Sequence, residues 1–238
     1  MPFFVLVHSP SVGPATWQPV ADRLRKLGYG VAVPSLLGVA DGEPPYWRRV
    51  VAAVTAGLAD AEPAEPLVLV AHSNAGVFVP VILEGLVRPV ACSIFADAAI
   101  PGPGDVTPMA PDDLLAFLRG LAGADGRLPP WTDWWDEQDV APLFPSAQAR
   151  QAIAAEQPRL PLAYYLEQVP APRGWDDGRC AYLLYSQAYA DSLAEAQRRG
   201  WPALSVPGEH LHQVVDPDAV ARAILELAGA EPGRTTEP

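Results

Sequence analysis

The sequence predicts an α/β fold, a mostly parallel sheet flanked by helices. Three observations lead there. Short apolar runs alternate with stretches whose apolar residues recur at helical spacing. The short runs are continuously apolar, as in strands buried on both faces, rather than alternating apolar and polar. Half of the 238 residues are hydrophobic, enough to bury one sizeable core, which fits a single domain with an elaboration.

The elements follow in order. "FFVLVH" (3–8) is a Phe- and Val-rich run that reads as a buried strand. "ATWQPVADRLRKLG" has helical periodicity and stops at Gly28. "GVAVPS" (30–35) is a second strand, and "PPYWRRVVAAVTAGLADA" a helix with prolines at its start. "LVLVAH" (67–72) is the third strand, "NAGVFVPVILEGL" an apolar helix buried against the sheet, and "ACSIFAD" (91–97) the fourth strand. Residues 98–178 then break the alternation. They hold prolines, acidic residues and aromatics, with helical pieces at "PDDLLAFLRGLAG" and "SAQARQAIAAEQ" and no convincing strand. "CAYLLYS" (180–186), the helix "ADSLAEAQRRG", the strand "PALSVPG" and the helix "DPDAVARAILELAG" restore it. The polar end, 231–238, reads as a flexible tail.

Composition narrows the function. The net charge is −12 and Lys26 is the single lysine, so no basic patch for nucleic acid is expected. No apolar run reaches the length of a membrane span. "MPFFVLVHSP" lacks a basic n-region and reads as a strand rather than a signal peptide, so the expected address is the cytoplasm. Cys92 and Cys180 lie in strand-like runs and read as buried reduced thiols, with no metal site expected.

In a parallel sheet with helices on both faces, ligands bind at the carboxyl ends of the strands. His8, Ser73, Asp97 and Ser186 all fall there. Around Ser73 the chain reads strand, Ala-His-Ser-Asn-Ala, helix, which is the pattern of a nucleophile elbow. The turn is tight enough that only small residues fit two positions either side of the serine, and Ala71 and Ala75 meet that demand. Gly76 lets the helix approach the sheet, and the helix start aims N–H groups, Asn74 first, at charge developing beside Ser73. A serine in a plain strand-to-helix turn is the competing reading. A nucleophilic serine needs a base. His72 adjoins it on a strand and points to the other face, and His8 shapes the site from the first strand's end. His210 and His212, in the loop "VPGEHLHQVVDPDAV", are the candidates.

Four segments together carry a resemblance: "FVLVHSPSVGPATWQPVADRLRKLGYGVAVPSLLG", "LVLVAHSNAG", "IFADAAIPGPG" and "PGEHLHQVVDPDAV". The chain resembles a compact α/β-hydrolase, of the esterase and hydroxynitrile-lyase-like branch. The first strand pair of larger members is missing. The resemblance therefore implies a mostly parallel six-stranded sheet flanked by helices, with a helical lid inserted between the fourth and fifth strands. Residues 1–97 and 179–230 would form the core and 98–178 the lid. The family's catalytic histidine commonly precedes a "DP" helix start by several residues. His210, seven before Pro217, fits that spacing better than His212.

Two departures from the family pattern stand out. The acid that orients the histidine usually follows the next-to-last strand, but "SQAYADS" offers no carboxylate before Asp191. Some relatives carry the acid one strand earlier, which is Asp97 here. Asp97, Asp191 and a Ser–His pair without a carboxylate all stay open, and Glu209 is expected to point elsewhere. The second departure is in the oxyanion loop. The family takes one N–H from the residue after the nucleophile, Asn74, and another from the loop after the first strand, here His8-Ser9-Pro10. Proline has no N–H. Either the register shifts to Ser11, or the Ser9 hydroxyl replaces the donor, a feature similar to the lyase branch.

The aromatics of the insertion, Trp131, Trp134, Trp135, Tyr164 and Tyr165, fill the lid's own core or face a pocket beneath it. With His8, Trp131, Trp134, Trp135 and Tyr164 are the expected substrate-binding residues, which points to an apolar or aromatic small molecule. Tyr46 and Trp47 either join them or pack a helix start; Asp133, Asp136 and Glu137 are expected in solvent. The reaction expected is hydrolysis of an ester, thioester or lactone through an acyl-serine, with Ser73, His210 and Asp97 as the catalytic set and no cofactor. A lyase, cyclase or rearrangement run by Ser73 and His210 is the alternative, and a ligand-binding protein on the same scaffold the third reading. The partner expected is a small-molecule substrate, with a homodimer left open.

Overall fold

The computed structural model describes residues 1–59, 61 and 65–230. The tail expected at 231–238 lies outside them. The first half runs β1 (Phe3–Val7), α1 (Gln18–Lys26), β2 (Gly30–Ala32), α2 (Trp47–Ala56), β3 (Leu67–Ser73), α3 (Val79–Gly85) and β4 (Val90–Ala98). The insertion holds β5 (Val106–Pro108), α4 (Asp112–Leu121), α5 (Glu137–Val140), α6 (Ala147–Ala154), α7 (Leu162–Tyr165) and β6 (Gln168–Pro170). The chain then returns through β7 (Cys180–Leu184), α8 (Ala190–Arg198), β8 (Ala203–Ser205), α9 (His212–Val215) and α10 (Pro217–Ala228).

Six strands form one sheet in the order β2-β1-β3-β4-β7-β8, and every pairing in it is parallel. The side chains of its strands divide between two cores with the period of two that a pleat imposes. Phe3, Val5, Leu67, Leu69 and Phe95 face α2 and α3. Phe4, Leu6, Val68, Val70 and Ile94 face α1 and α10, where Trp17 is fully buried. Both faces being covered explains why the strands read as unbroken apolar runs.

The helix ends follow local chemistry. Asp216 caps α10 by accepting from the Ala219 N–H at 2.9 Å, Pro217 takes the first position, and Gly229 closes the helix at φ 67°. The segment after Ser73 does not enter an α-helix at once. It runs as a 3₁₀ turn over Asn74–Phe78 before α3 begins. There Gly76 lies against β4 so closely that a Cβ would overlap the Ala99 carbonyl.

The insertion corrects one expectation. It is not wholly helical: β5 and β6 pair antiparallel, Thr107 opposite Val169, as a separate two-stranded sheet. These strands are three residues each, proline-bearing, and some sixty positions apart, so only the tertiary pairing defines them. The insertion is anchored to the core at several points. Glu156 Oε2 accepts from the Ala15 N–H at 2.8 Å and Glu167 Oε1 from the Tyr46 N–H at 2.7 Å.

Candidate active site

Ser73 and Asp97 sit at the carboxyl ends of neighbouring strands, each in an unusual backbone conformation. Ser73 has φ 59° and ψ −131°, and Asp97 has φ 44°. Positive φ in a residue with a Cβ costs on the order of 1–3 kcal/mol and concentrates where function demands it. The strand register explains Asp97. His72 pairs with Ala96 but Ser73 pairs with Ala98, so Asp97 is the extra residue of a bulge. The Tyr182 hydroxyl accepts from the Ala98 N–H at 3.1 Å and donates to the Ala98 carbonyl at 3.0 Å, closing the backbone beside the bulge.

Around that bulge four donors converge on one carboxylate. Oδ1 of Asp97 accepts from the Tyr185 and Ser186 N–H groups, both at 2.9 Å. Oδ2 accepts from the Ser186 hydroxyl at 2.6 Å and from His210 Nδ1 at 2.7 Å. Burial pushes the Asp97 pKa up, but the His210 bond and charge and the Ser186 bonds outweigh it and hold the carboxyl below its ordinary value. In the tautomer that carries its proton on Nδ1, toward Asp97, the ring presents a lone pair at Nε2. Nε2 lies 2.9 Å from Ser73 Oγ.

Two neighbours fix the His210 ring. His72 Nε2 bonds the His210 carbonyl at 2.8 Å; a carbonyl only accepts, so His72 carries its proton on Nε2. Burial first, and the nearby His210 second, lower the His72 pKa to about 3, so that ring is neutral. Tyr189 stacks on the His210 ring, 5.0 Å between centroids and 8° between planes, with its hydroxyl 3.3 Å from Ser73 Oγ.

His212 opens α9 and lies beside Tyr185, ring centroids 6.1 Å apart, rather than at Ser73. Asp191 is exposed in the first turn of α8, away from the Asp97–His210 pair. Glu209, expected to point elsewhere, is exposed but does border the cavity in front of Ser73.

That cavity measures about 660 Å³. Trp131, Trp134 and Trp135 line it, as do Met109, Leu114 and Tyr165. Two substrate-binding expectations need correction. Tyr164 does not face the cavity. It is fully buried, and its hydroxyl donates to Asn74 Oδ1 at 2.6 Å; Tyr165 takes the cavity position instead. His8 is fully buried behind the loop. It accepts from the Leu36 N–H at Nε2 (2.9 Å) and donates from Nδ1 to the Ser9 carbonyl (2.8 Å). Burial lowers its pKa to about 4. Tyr46 and Trp47 also stay out of the cavity, at the start of α2.

In the loop after β1, Pro10 is absent from the cavity wall while Ser9 and Ser11 are part of it. The Ser11 N–H donates to Ser9 Oγ at 3.3 Å, which leaves the Ser9 hydroxyl proton for another acceptor. Ser11 Oγ and the Tyr165 hydroxyl are 2.6 Å apart. Asn74 begins the turn after Ser73, and its side chain donates to the Met109 carbonyl at 2.9 Å. Among the described residues, the carboxylates on the cavity wall are Asp139 and Glu209, and no lysine or arginine lines it. Also among the described residues, no three His, Cys, Asp or Glu side chains cluster to hold a metal, and no helix is long and apolar enough to cross a membrane. Cys92 and Cys180 are free, buried thiols.

The sequence profile of the alpha/beta hydrolase family matches residues 4–223. The chain belongs to the alpha/beta hydrolase family. No match is found among curated proteins. Among solved structures, this alpha/beta hydrolase is similar to an extracellular alpha/beta-hydrolase from a Paenibacillus species, described as sharing structural and functional homology with tobacco salicylic acid binding protein 2. The TM-score is 0.73 at 19% identity, over 98% of this chain and 100% of that one. It is also similar to polyneuridine aldehyde esterase, with TM-score 0.72 and 14% identity over 96% and 99% of the two chains. A pyrethroid hydrolase from Sphingobium faniae JZ-2 aligns at TM-score 0.68 and 18% identity over 96% and 98%. At these identities the likeness is one of fold.

The sequence did not single out Tyr189, Ser186 as a partner of Asp97, or Tyr165 ahead of Tyr164. Tyr189 had one available signal: it stands in the loop where the family's usual acid would be.

Proposed function

We propose that this alpha/beta hydrolase is a serine esterase, acting through an acyl-serine on an ester, thioester or lactone of an apolar or aromatic small molecule. The observation that carries this is the continuous relay from Asp97 Oδ2 to His210 Nδ1 (2.7 Å) and from His210 Nε2 to Ser73 Oγ (2.9 Å). His210 takes the Ser73 proton as Oγ attacks the carbonyl carbon, then passes it to the leaving oxygen. Asp97 holds the imidazole in the competent tautomer and stabilises the imidazolium. The Asn74 N–H and the Ser9 hydroxyl are the donors assigned to the oxyanion, and Pro10 contributes none. Residues 98–178 serve as the lid over residues 1–97 and 179–230.

The cavity supports the substrate class. Its tryptophans offer apolar area, while the charged groups on its wall, Asp139 and Glu209, are both acids. A substrate carboxylate would be desolvated there without a counter-charge, so the substrate is uncharged near the ester. The neighbours described as an esterase and a pyrethroid hydrolase support ester chemistry. We place the protein in the cytoplasm, where its free buried thiols stay reduced.

One observation favours a second reading. With Pro10 in the oxyanion loop, one of the family's two backbone donors is lost and a hydroxyl stands in its place. That suits a lyase or cyclase in which Ser73 and His210 move protons without acylation.

A fluorophosphonate probe with mass spectrometry separates the two. Stoichiometric labelling of Ser73, abolished in Ser73→Ala and His210→Ala, is the expected result. A folded protein that resists labelling would overturn the esterase reading in favour of the acid–base one.

A further inference from the structure

We propose that Tyr189 is a fourth catalytic residue, a phenol that donates to Ser73 Oγ and acts mainly in release of the acyl group. The inference rests on the esterase reading above.

Three observations meet at this side chain. Its hydroxyl is 3.3 Å from Ser73 Oγ, the reacting atom. Its ring lies flat against His210, 5.0 Å between centroids at 8°, and the His72 ring centroid is 4.6 Å from that of His210, so both rings pack on the imidazole. It lines the same cavity as Ser73 and the Trp131 wall. The direction of the bond follows from proton counting. Ser73 has one proton, which it gives to the bare Nε2 of His210 at 2.9 Å. Its oxygen is then an acceptor for the phenol. Burial, the largest influence, and the Asp97 charge raise the Tyr189 pKa, against the Ser73 bond, to about 12. The phenol therefore keeps its proton at any working pH and is a donor, not a base.

That donor is used unequally in the two halves of the reaction. In acylation, Ser73 Oγ is the nucleophile. Its proton goes to His210 as the Oγ–C bond forms and the carbonyl pair moves onto oxygen. Collapse then breaks the bond to the alcohol, which leaves with the His210 proton. A donor on Oγ gives the nucleophile no help in this half. In deacylation, water attacks the acyl carbon and gives a proton to His210. The C–Oγ bond then breaks, and Oγ takes the bonding pair and the His210 proton. As the pair arrives, Oγ becomes electron-rich at the place where the Tyr189 O–H points. The phenol steadies the departing oxygen and retains its own proton throughout. The placement also accounts for the loop sequence. "SQAYADS" follows β7, where the family's usual acid would stand; the acid's task falls to Asp97 on β4, and the loop contributes a phenol instead.

The test is pre-steady-state hydrolysis of a p-nitrophenyl ester by the full chain, comparing wild type, Tyr189→Phe and Tyr189→Leu, with near-ultraviolet circular dichroism to check folding. Phe keeps the ring on His210 and removes only the oxygen. For Tyr189→Phe we expect the acylation burst within about threefold of wild type and the steady-state rate lowered roughly 10- to 100-fold, as expected for loss of a hydrogen bond to a charged oxygen. Acyl-Ser73 then accumulates and is visible by mass. Tyr189→Leu, which also frees the ring of His210, should slow the burst as well. A Tyr189→Phe enzyme with unchanged burst and steady-state rates would overturn the proposal and leave the esterase reading standing. Absence of any acyl-enzyme in wild type would overturn both. Should Tyr189→Phe fail to fold, Tyr189→Leu decides alone: an unchanged steady-state rate refutes the role.

Discussion

Asn74 and Tyr164 join the turn after the serine to the insertion: the Tyr164 hydroxyl donates to Asn74 Oδ1 at 2.6 Å. The other end of the same carboxamide donates to the Met109 carbonyl at 2.9 Å. Both partners belong to 98–178, so the insertion grips the residue whose N–H is assigned to the oxyanion. Tyr164→Phe removes one donor and strands a buried acceptor, at a cost of about 1–3 kcal/mol. The expected outcome is a lower urea midpoint together with a lower kcat and a nearly unchanged KM. A variant that loses stability but keeps full kcat would show that the grip is structural alone.

Asp97 and Asp191 make opposite predictions. Asp97 receives four donors, so Asp97→Asn turns an amide toward one of them and disturbs the His210 tautomer. The expected loss in kcat is on the order of 10³–10⁴. Asp191→Asn, on an exposed helix turn, should stay within about twofold. Steady-state kinetics on the two variants settles which carboxylate orients His210; the reverse ranking would displace Asp97 from the relay.

Acid should destabilise the fold through two histidines outside the relay's proton path. Burial holds His8 at about 4 and, with the His210 ring adding to it, His72 at about 3, below the ordinary value of 6.5. Between those values and 6.5 the unfolded chain binds protons that the folded chain does not. Stability is therefore fully present above pH 6.5 and lost as pH falls toward the folded values, by roughly 2 kcal/mol per histidine at pH 5. Urea midpoints at pH 7.5 and pH 5 measure this. Equal midpoints would mean that both rings take up protons in the folded chain as readily as in the unfolded one.

Charge selection is a direct consequence of the cavity wall. An aromatic ester bearing a free carboxylate should be turned over at least about 100-fold less efficiently than its neutral methyl analogue, given the cost of an unpaired buried charge. Asp139→Asn with Glu209→Gln should narrow the gap. Equal kcat/KM for the two substrates would contradict an uncharged substrate.

The sequence by itself determined the layer architecture, the elbow at Ser73 and the short list of partners. The reason is that these signals are local. An apolar run of five to seven residues between helical repeats marks a strand buried on both faces, and small residues around Ser73 mark a turn with no room for larger ones. Tertiary structure alone decided among the alternatives. His210 rather than His212 lies at Ser73 because the loop is fixed by the His72 bond to the His210 carbonyl. Asp97 rather than Asp191 meets His210 because one extra residue in the β3–β4 register turns the carboxylate toward β7. Tyr165 rather than Tyr164 reaches the cavity because α7, four residues long, takes its rotation from what it packs on: Tyr164 is spent on Asn74, Tyr46 and Phe78. Which way a side chain points at a bulge, on a one-turn helix or in a loop depends on contacts many residues away, and no local pattern records them.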